Sequence, residues 1–410
     1  MSPRRCTLAL LTAAAWCVAS SAPAGLVTHV DYSDFAIRLR QATDAAGVAE
    51  FTAAERAQIE ANVLGGLRRA YADFDVTFQT NAPGATERVW LGGPYVGGDV
   101  VYGEATRLDY RNQFDGDLAE VYTGNFGGFI EHFEPRSQQI AELSAALTGT
   151  AAHELGHNLG LTHEDSYGSP GFTYTGLEGP VDSGGAQNGR LMATGPTNLS
   201  EAQREVDRTF SRFSQLKLEF AEGLTATGPT PSLFEDLLPT DPLSSARQVA
   251  LVAQSISGLD AANVIGTIGA ALQEDLFVFE LFTSGELSAA TITTGLADAA
   301  DTVLTVLNEA GTVLGRVDDT TFAGDLFGDG TSNLSRDARL YGLRIDGPGR
   351  YFARVEGFDG GVGDYELLIG FAADAAAGPA AVPEPGAWLL TGLALLGGVA
   401  VRRRRRRLAP

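Results

Sequence analysis

Cysteine is almost missing from this chain: of 410 residues two are cysteine, Cys6 and Cys17, both in the first seventeen positions. Removal of that segment would leave neither a disulfide nor a cysteine nucleophile, so stability must come from packed cores and bound metal. Methionine is equally scarce, with only Met1 and Met192. Basic residues are few, 29 against 51 acidic, for a formal charge of −22. Eight of the 29 are the terminal arginines Arg4, Arg5 and Arg402 to Arg407, without which 21 face 51 and the balance is −30. Such a surface repels nucleic acid and anionic polymers, which excludes a nucleic-acid partner and suits an extracellular or cation-binding protein.

Histidine is also rare, yet three of its five copies fall within eleven residues, His153-Glu154-Leu155-Gly156-His157-Asn158-Leu159-Gly160-Leu161-Thr162-His163. On a helix, residues four apart share a face, so His153 and His157 can present two imidazoles to one metal ion. Glu154 projects beside them, placed to accept a proton from a metal-activated water without being a ligand. Gly160 lets the backbone leave the helix through a left-handed conformation, which returns His163 as a third ligand. Three protein ligands leave a fourth position open, the mark of catalytic rather than structural zinc.

The flanking sequence supplies a framework. Residues 1–24 read as a secretory signal: Arg4 and Arg5, an apolar run from Leu8 to Ala19 too short to span a membrane, then Ala22-Pro23-Ala24. Thr52 and Glu55 form a capping box ahead of Ile59, Val63, Leu67 and Ala70 at helical spacing. A sheet is expected after this helix, from strands at 75–78 and 88–91, with further candidates at 97–102 and 118–122. Leu143, Leu147, Ala151, Leu155 and Leu159 give the histidine helix an apolar stripe, with His153 and His157 off it. A Gly, Ser and Pro-rich loop joins His163 to Met192, and its Asp165 and Asp182 are weighed as calcium ligands against solvated carboxylates. A closing helix is expected from a capping box at Ser200 and Gln203 to Gly223.

The long histidine motif together with Met192 in Gly189-Arg190-Leu191-Met192-Ala193-Thr194-Gly195 resembles the metzincin clan of zinc endopeptidases. The resemblance implies an α+β metzincin-like catalytic domain, a twisted sheet plus the zinc helix, over residues 25–223. It implies zinc on His153, His157 and His163, with Glu154 as general base and Met192 as an apolar floor beneath the ligands. It also implies an edge strand antiparallel to the bound peptide, for which 118–122 is the candidate. Glu164 follows the third histidine as in astacin-like members, whereas the turn lacks their tyrosine two residues after the methionine, so the subfamily stays open.

Residues 224–244 read as a linker, with Thr225 to Pro231 and a second break at Pro239-Thr240-Asp241-Pro242. Beyond it the period changes to two: Phe277, Phe279 and Leu281; Thr291 and Thr293; Leu304 and Val306; then 340–345, 351–355 and 365–369, which is the pattern of an all-β sandwich over 245–372. The succession of short strands and Gly or Asp turns resembles bacterial pre-peptidase carboxy-terminal domains. Asp318, Asp319, Asp325 and Asp329 form a second calcium candidate, weighed equally with a solvated acidic loop.

After a linker at 373–381, residues 382–410 hold Val382-Pro383-Glu384-Pro385, an uncharged apolar stretch from Ala387 to Val401, and six arginines. This resembles the PEP-CTERM sorting signal of Gram-negative bacteria, which implies an exosortase-type partner, a transient membrane helix at the C-terminus as the only membrane contact, and a cell-surface or matrix location. The whole predicts an exported zinc endopeptidase acting on protein or peptide. The alternatives are a surface binding or adhesion protein with a vestigial site, and a zinc hydrolase of some non-peptide bond.

Overall fold

The structure, a computed structural model, describes residues 25–93, 101–163, 165, 190–193, 199, 201–225, 233–234, 243, 246–293, 296, 298–318 and 337–374. The signal segment, residues 97–100 of the strand candidate at 97–102, Asp182, residues 226–231 and 239–242 of the linker breaks, Ser200, Asp319, Asp325, Asp329 and the sorting tail lie outside the described residues, and Val101 and Tyr102 are not in a strand.

The first sheet contains β1 (Leu26–Asp31), β2 (Val76–Gln79), β3 (Glu87–Trp90), β4 (Gly103–Ala105) and β5 (Asp117–Val121), in the order β2-β1-β3-β5-β4. β1 runs parallel to β2 and β3, β3 parallel to β5, and β4 alone is antiparallel. Two helices precede β2, α1 (Phe35–Ala46) and α2 (Ala53–Ala70). α2 begins as its residues dictate: Thr52 Oγ1 accepts from Glu55 N at 3.3 Å while Glu55 Oε2 accepts from Thr52 N at 2.7 Å. Its buried Ile59, Val63 and Leu67 meet α3 (Arg136–Asn158), whose Leu143, Leu147, Ala151 and Leu155 share that core. Both β1 and α1 precede the point where the sequence led us to expect the sheet. The edge strand is also corrected: β5 is interior, covered by β4, because Gly103 to Ala105 pair with Val121 to Ala119.

The closing helix is two short helices, α4 (Glu201–Arg204) and α5 (Arg212–Glu219). Ser211 starts the second by accepting from Ser214 N at 2.9 Å, and Thr209 between them bridges to Arg190.

Two further sheets follow. One holds β7 (Arg247–Gln248), β10 (Glu274–Leu281), β12 (Thr302–Asn308), β13 (Val313–Val317) and β15 (Gly349–Gly357), in the order β13-β12-β15-β10-β7. The other holds β6 (Leu233–Phe234), β9 (Asp260–Ile268), β11 (Gly285–Ile292), β14 (Arg339–Ile345) and β16 (Gly363–Ala373), in the order β14-β11-β16-β9-β6, with β8 (Val252–Ala253) paired to β9. Their inward Phe277, Phe279, Leu304, Val306, Val355, Leu367 and Ile369 form one core, as the period-two pattern requires.

The expected fold class, an α+β metzincin-like catalytic domain followed by an all-β sandwich, is overturned. The described chain is mostly β, three sheets with few helices, and no metzincin-type α+β catalytic domain stands apart from the sandwich. Contacts divide the chain at Ala372/Ala373, into a unit Met1–Ala372 and a unit Ala373–Pro410. The physical reason lies in α5, which is buried on two sides. Leu218 joins the core of the first sheet, whereas Phe213, Leu216 and Phe220 pack with Leu259, Ile292, Tyr341 and Leu368 of the sandwich. A helix needed by two cores cannot terminate a separable domain.

Candidate metal centre

α3 ends at Asn158, and Gly160 takes φ +88°. Gly160 N donates to His157 O at 2.9 Å and Leu161 N to Gly156 O at 2.9 Å, the paired bonds of a left-handed helix stop. The chain therefore folds back, bringing His163 to the two helical histidines. The three Nε2 atoms converge: 2.9 Å between His153 and His163, 3.1 Å between His157 and His153, 3.3 Å between His157 and His163. They form the one cluster of potential metal ligands found among the described residues.

The donor set fits a metal ion. His153 Nδ1 donates to Leu191 O at 2.6 Å, and His157 Nδ1 to Leu161 O at 2.8 Å. With Nδ1 carrying the proton, each ring points an Nε2 lone pair inward. Lone pairs at such separations repel unless a cation lies between them, and tetrahedral zinc–nitrogen bonds of about 2.0–2.1 Å place ligand nitrogens about 3.3 Å apart. The carbonyl partners also fix the tautomer, as outer contacts of metal-binding histidines do. Burial, together with the neighbouring imidazoles, pushes the His153 pKa down, and His157 is lowered to about 3. Both are therefore neutral, as a ligand must be.

Glu154 is buried beside the triad. The antiparallel edge strand reaches it: a Cβ at Gly103 would stand 2.7 Å from Glu154 Cγ and 2.8 Å from Oε1. Met192 is fully buried below the helix, where a Cβ at Gly156 would come within 2.7 Å of its Sδ. The structure thus brings together every residue singled out for the site, His153, Glu154, His157, His163 and Met192. Asp165, weighed as a calcium ligand or a solvated loop carboxylate, is fully buried instead, its oxygens accepting from Thr162 N, Lys217 and Arg339.

Sequence reasoning missed two arginines. Arg208 Nη1 donates at 3.4 Å to Leu191 O, the same carbonyl that holds His153. Arg204 lies 4.9 Å over the Tyr102 ring, next to Gly103. Both are buried and sense the Glu154 charge; burial, then the nearby Arg204, lowers Arg208 to about 9. Nothing in Arg204-Glu205-Val206-Asp207-Arg208 marks these two among other surface-like charges.

Residues 381–406 match the family described as the PEP-CTERM protein-sorting motif. That motif implies export, recognition by an exosortase-type sorting enzyme and anchoring through the C-terminus. Among the described residues, no helix is long and apolar enough to cross a membrane. No curated protein matches the chain. Similar solved structures include the pre-peptidase C-terminal domain of collagenase from Bacillus anthracis, at 14% identity and TM-score 0.22, covering 33% of this chain and 99% of that one. Another is PliG, a periplasmic inhibitor of g-type lysozyme from Salmonella Typhimurium, at 14% identity and TM-score 0.20, covering 31% and 100%. The Aeromonas hydrophila PliG aligns at 13% identity and TM-score 0.19, covering 31% and 96%.

Proposed function

We propose that this protein is an exported zinc-dependent endopeptidase. The observation that carries the reading is the convergence of three imidazole Nε2 atoms beside a buried glutamate. His153, His157 and His163 would hold the ion, with Met192 as its apolar floor. When bound, zinc supplies a Lewis acid that polarises the scissile carbonyl and lowers the pKa of bound water to about 7. Glu154 takes the proton of the attacking water as the carbon–oxygen bond forms. It then gives that proton to the leaving amine nitrogen as the carbon–nitrogen bond breaks. The carbonyls of Leu191 and Leu161 keep two of the rings in the tautomer the chemistry needs.

Peptide as the substrate class comes from the resemblance of the motif and Met192 to metzincin zinc peptidases, and it rests on those residues rather than on the fold. Hydrolysis of an unfolded protein by the purified chain, with and without a zinc chelator, tests the reading. Cleavage lost to the chelator and restored by zinc supports it. A preparation that carries stoichiometric zinc and cleaves no peptide leaves the binding or adhesion alternative.

A further inference from the structure

The loop that carries His163 does not hold itself in place. Thr162 N and Thr162 Oγ1 donate to Asp165 Oδ2 at 2.7 and 3.3 Å, closing the turn around the third histidine. Lys217 of α5 clamps both ends, its Nζ donating to Gly160 O and to Asp165 Oδ2, each at 2.8 Å. The remaining oxygen, Asp165 Oδ1, accepts at 2.5 Å from Nη1 of Arg339, the first residue of β14 in the sandwich. Arg339 Nη2 meanwhile donates to Thr162 Oγ1 at 3.3 Å and to Asp337 Oδ2 at 2.5 Å. Asp337 is itself fixed by Thr293 N at 2.7 Å, at the end of β11. Asp165, Asp337 and Arg339 are fully buried, and Lys217 is 7% exposed. Two carboxylates face two cations, so the set is neutral, with both guanidinium Nη atoms of Arg339 and the Lys217 ammonium bonded to carboxylates. Burial raises the Asp165 carboxyl, but Lys217 and Arg339 outweigh it and hold the group below the usual carboxylate range.

From this geometry we infer that Arg339 positions the third ligand: the sandwich is a working part of the metal centre, tethering His163 from the side opposite the helix. The inference rests on the zinc reading above. Arg339 touches neither metal nor substrate. It acts through Asp165 and Thr162, the residues that flank His163, as outer partners orient the ligands of metal sites.

The test is zinc affinity and the cobalt(II) absorption spectrum, measured on the full chain without reference to peptidase activity. Arg339→Met keeps the bulk of the side chain and removes both tethers. It is expected to weaken zinc by about 10- to 100-fold and to change the cobalt bands. Arg339→Met with Asp337→Asn restores charge neutrality, which keeps the test open where the single variant fails to fold, and is expected to lose affinity to the same degree. Leu367→Ala, buried in the sandwich core and making none of the network's hydrogen bonds, serves as the control: lower unfolding temperature, unchanged zinc affinity and cobalt spectrum. Wild-type affinity and bands in either Arg339 variant overturn the inference. So does an equal loss of affinity in Leu367→Ala at equal loss of stability. A wild-type chain that binds no zinc overturns the metal reading itself and the inference with it.

Discussion

Glu154 is where the proposed chemistry is most exposed to a single substitution. Glu154→Gln keeps the shape and removes the base, so peptide hydrolysis is expected to fall by about 100-fold or more with zinc content unchanged. Equal loss of zinc in that variant would instead make Glu154 a structural support. Gly103 offers a subtler test. Gly103→Ala places a methyl within 3 Å of Glu154 Cγ, Glu154 Oε1 and Thr150 Cγ2, so the carboxylate must move. Displacements near 1 Å cost on the order of 100-fold, so kcat is expected to drop by about that much while zinc affinity holds. The contrast between these residues shows what was legible. His153, Glu154 and His157 were readable because helical periodicity fixes their relative positions within one turn, and Gly160 because its φ of +88° is a local requirement. Gly103, Arg204, Arg208 and Arg339 reach the site only through tertiary packing, and no spacing in the chain encodes that.

At the level of elements, the segments with long single-period patterns came out as the sequence implied. α2 carries its capping box and α3 its apolar stripe, and the strands around Phe277, Leu304 and Leu367 send alternate residues into the sandwich core, although their other face is buried as well. Thr52→Ala removes the acceptor for Glu55 N and is expected to cost about 1 kcal/mol, read as a lower urea midpoint with an unchanged slope. An unshifted midpoint would mean that Arg136, whose guanidinium bonds Glu55 at 3.0 Å and with it holds that carboxyl down at about 2, secures the helix start alone. Short elements defeated the pattern. β1 alternates buried Leu26, Thr28 and Val30 with half-buried Val27, His29 and Asp31, too brief and too mixed a run to stand out. The edge role went to β4, three residues with little hydrophobicity of their own, because strand order is decided by pairing rather than by composition.

Across the whole molecule, the shared helix α5 couples the first sheet to the sandwich, so calorimetry is expected to show one cooperative transition for residues 25–374. Two separated transitions would contradict the shared core. A buried acid sets the pH response. Both Glu87 oxygens are buried without a hydrogen-bond partner, and burial, then Asp117, Asp109 and Asp115, raises the group to about 9. The folded chain keeps this proton while the unfolded chain releases it near pH 4.3. The contribution is therefore complete below about pH 4.3 and is lost as pH rises towards about 9, at up to about 1.4 kcal/mol per pH unit. Glu87→Gln is expected to be more stable than the wild type at pH 8, with the gap closing towards pH 5; equal denaturation midpoints at pH 8 would rule this out. The tether from Arg339 has a further consequence, in time rather than in space. A chain exported amino-terminus first presents His153, Glu154 and His157 some 180 residues before β14 arrives. With His163 held from β14, the centre is expected to mature only when the sandwich has closed, and chains ending before Arg339 should bind zinc more weakly than the full chain. Such a device would make completion of the proposed metal centre the last step of the chain's own folding.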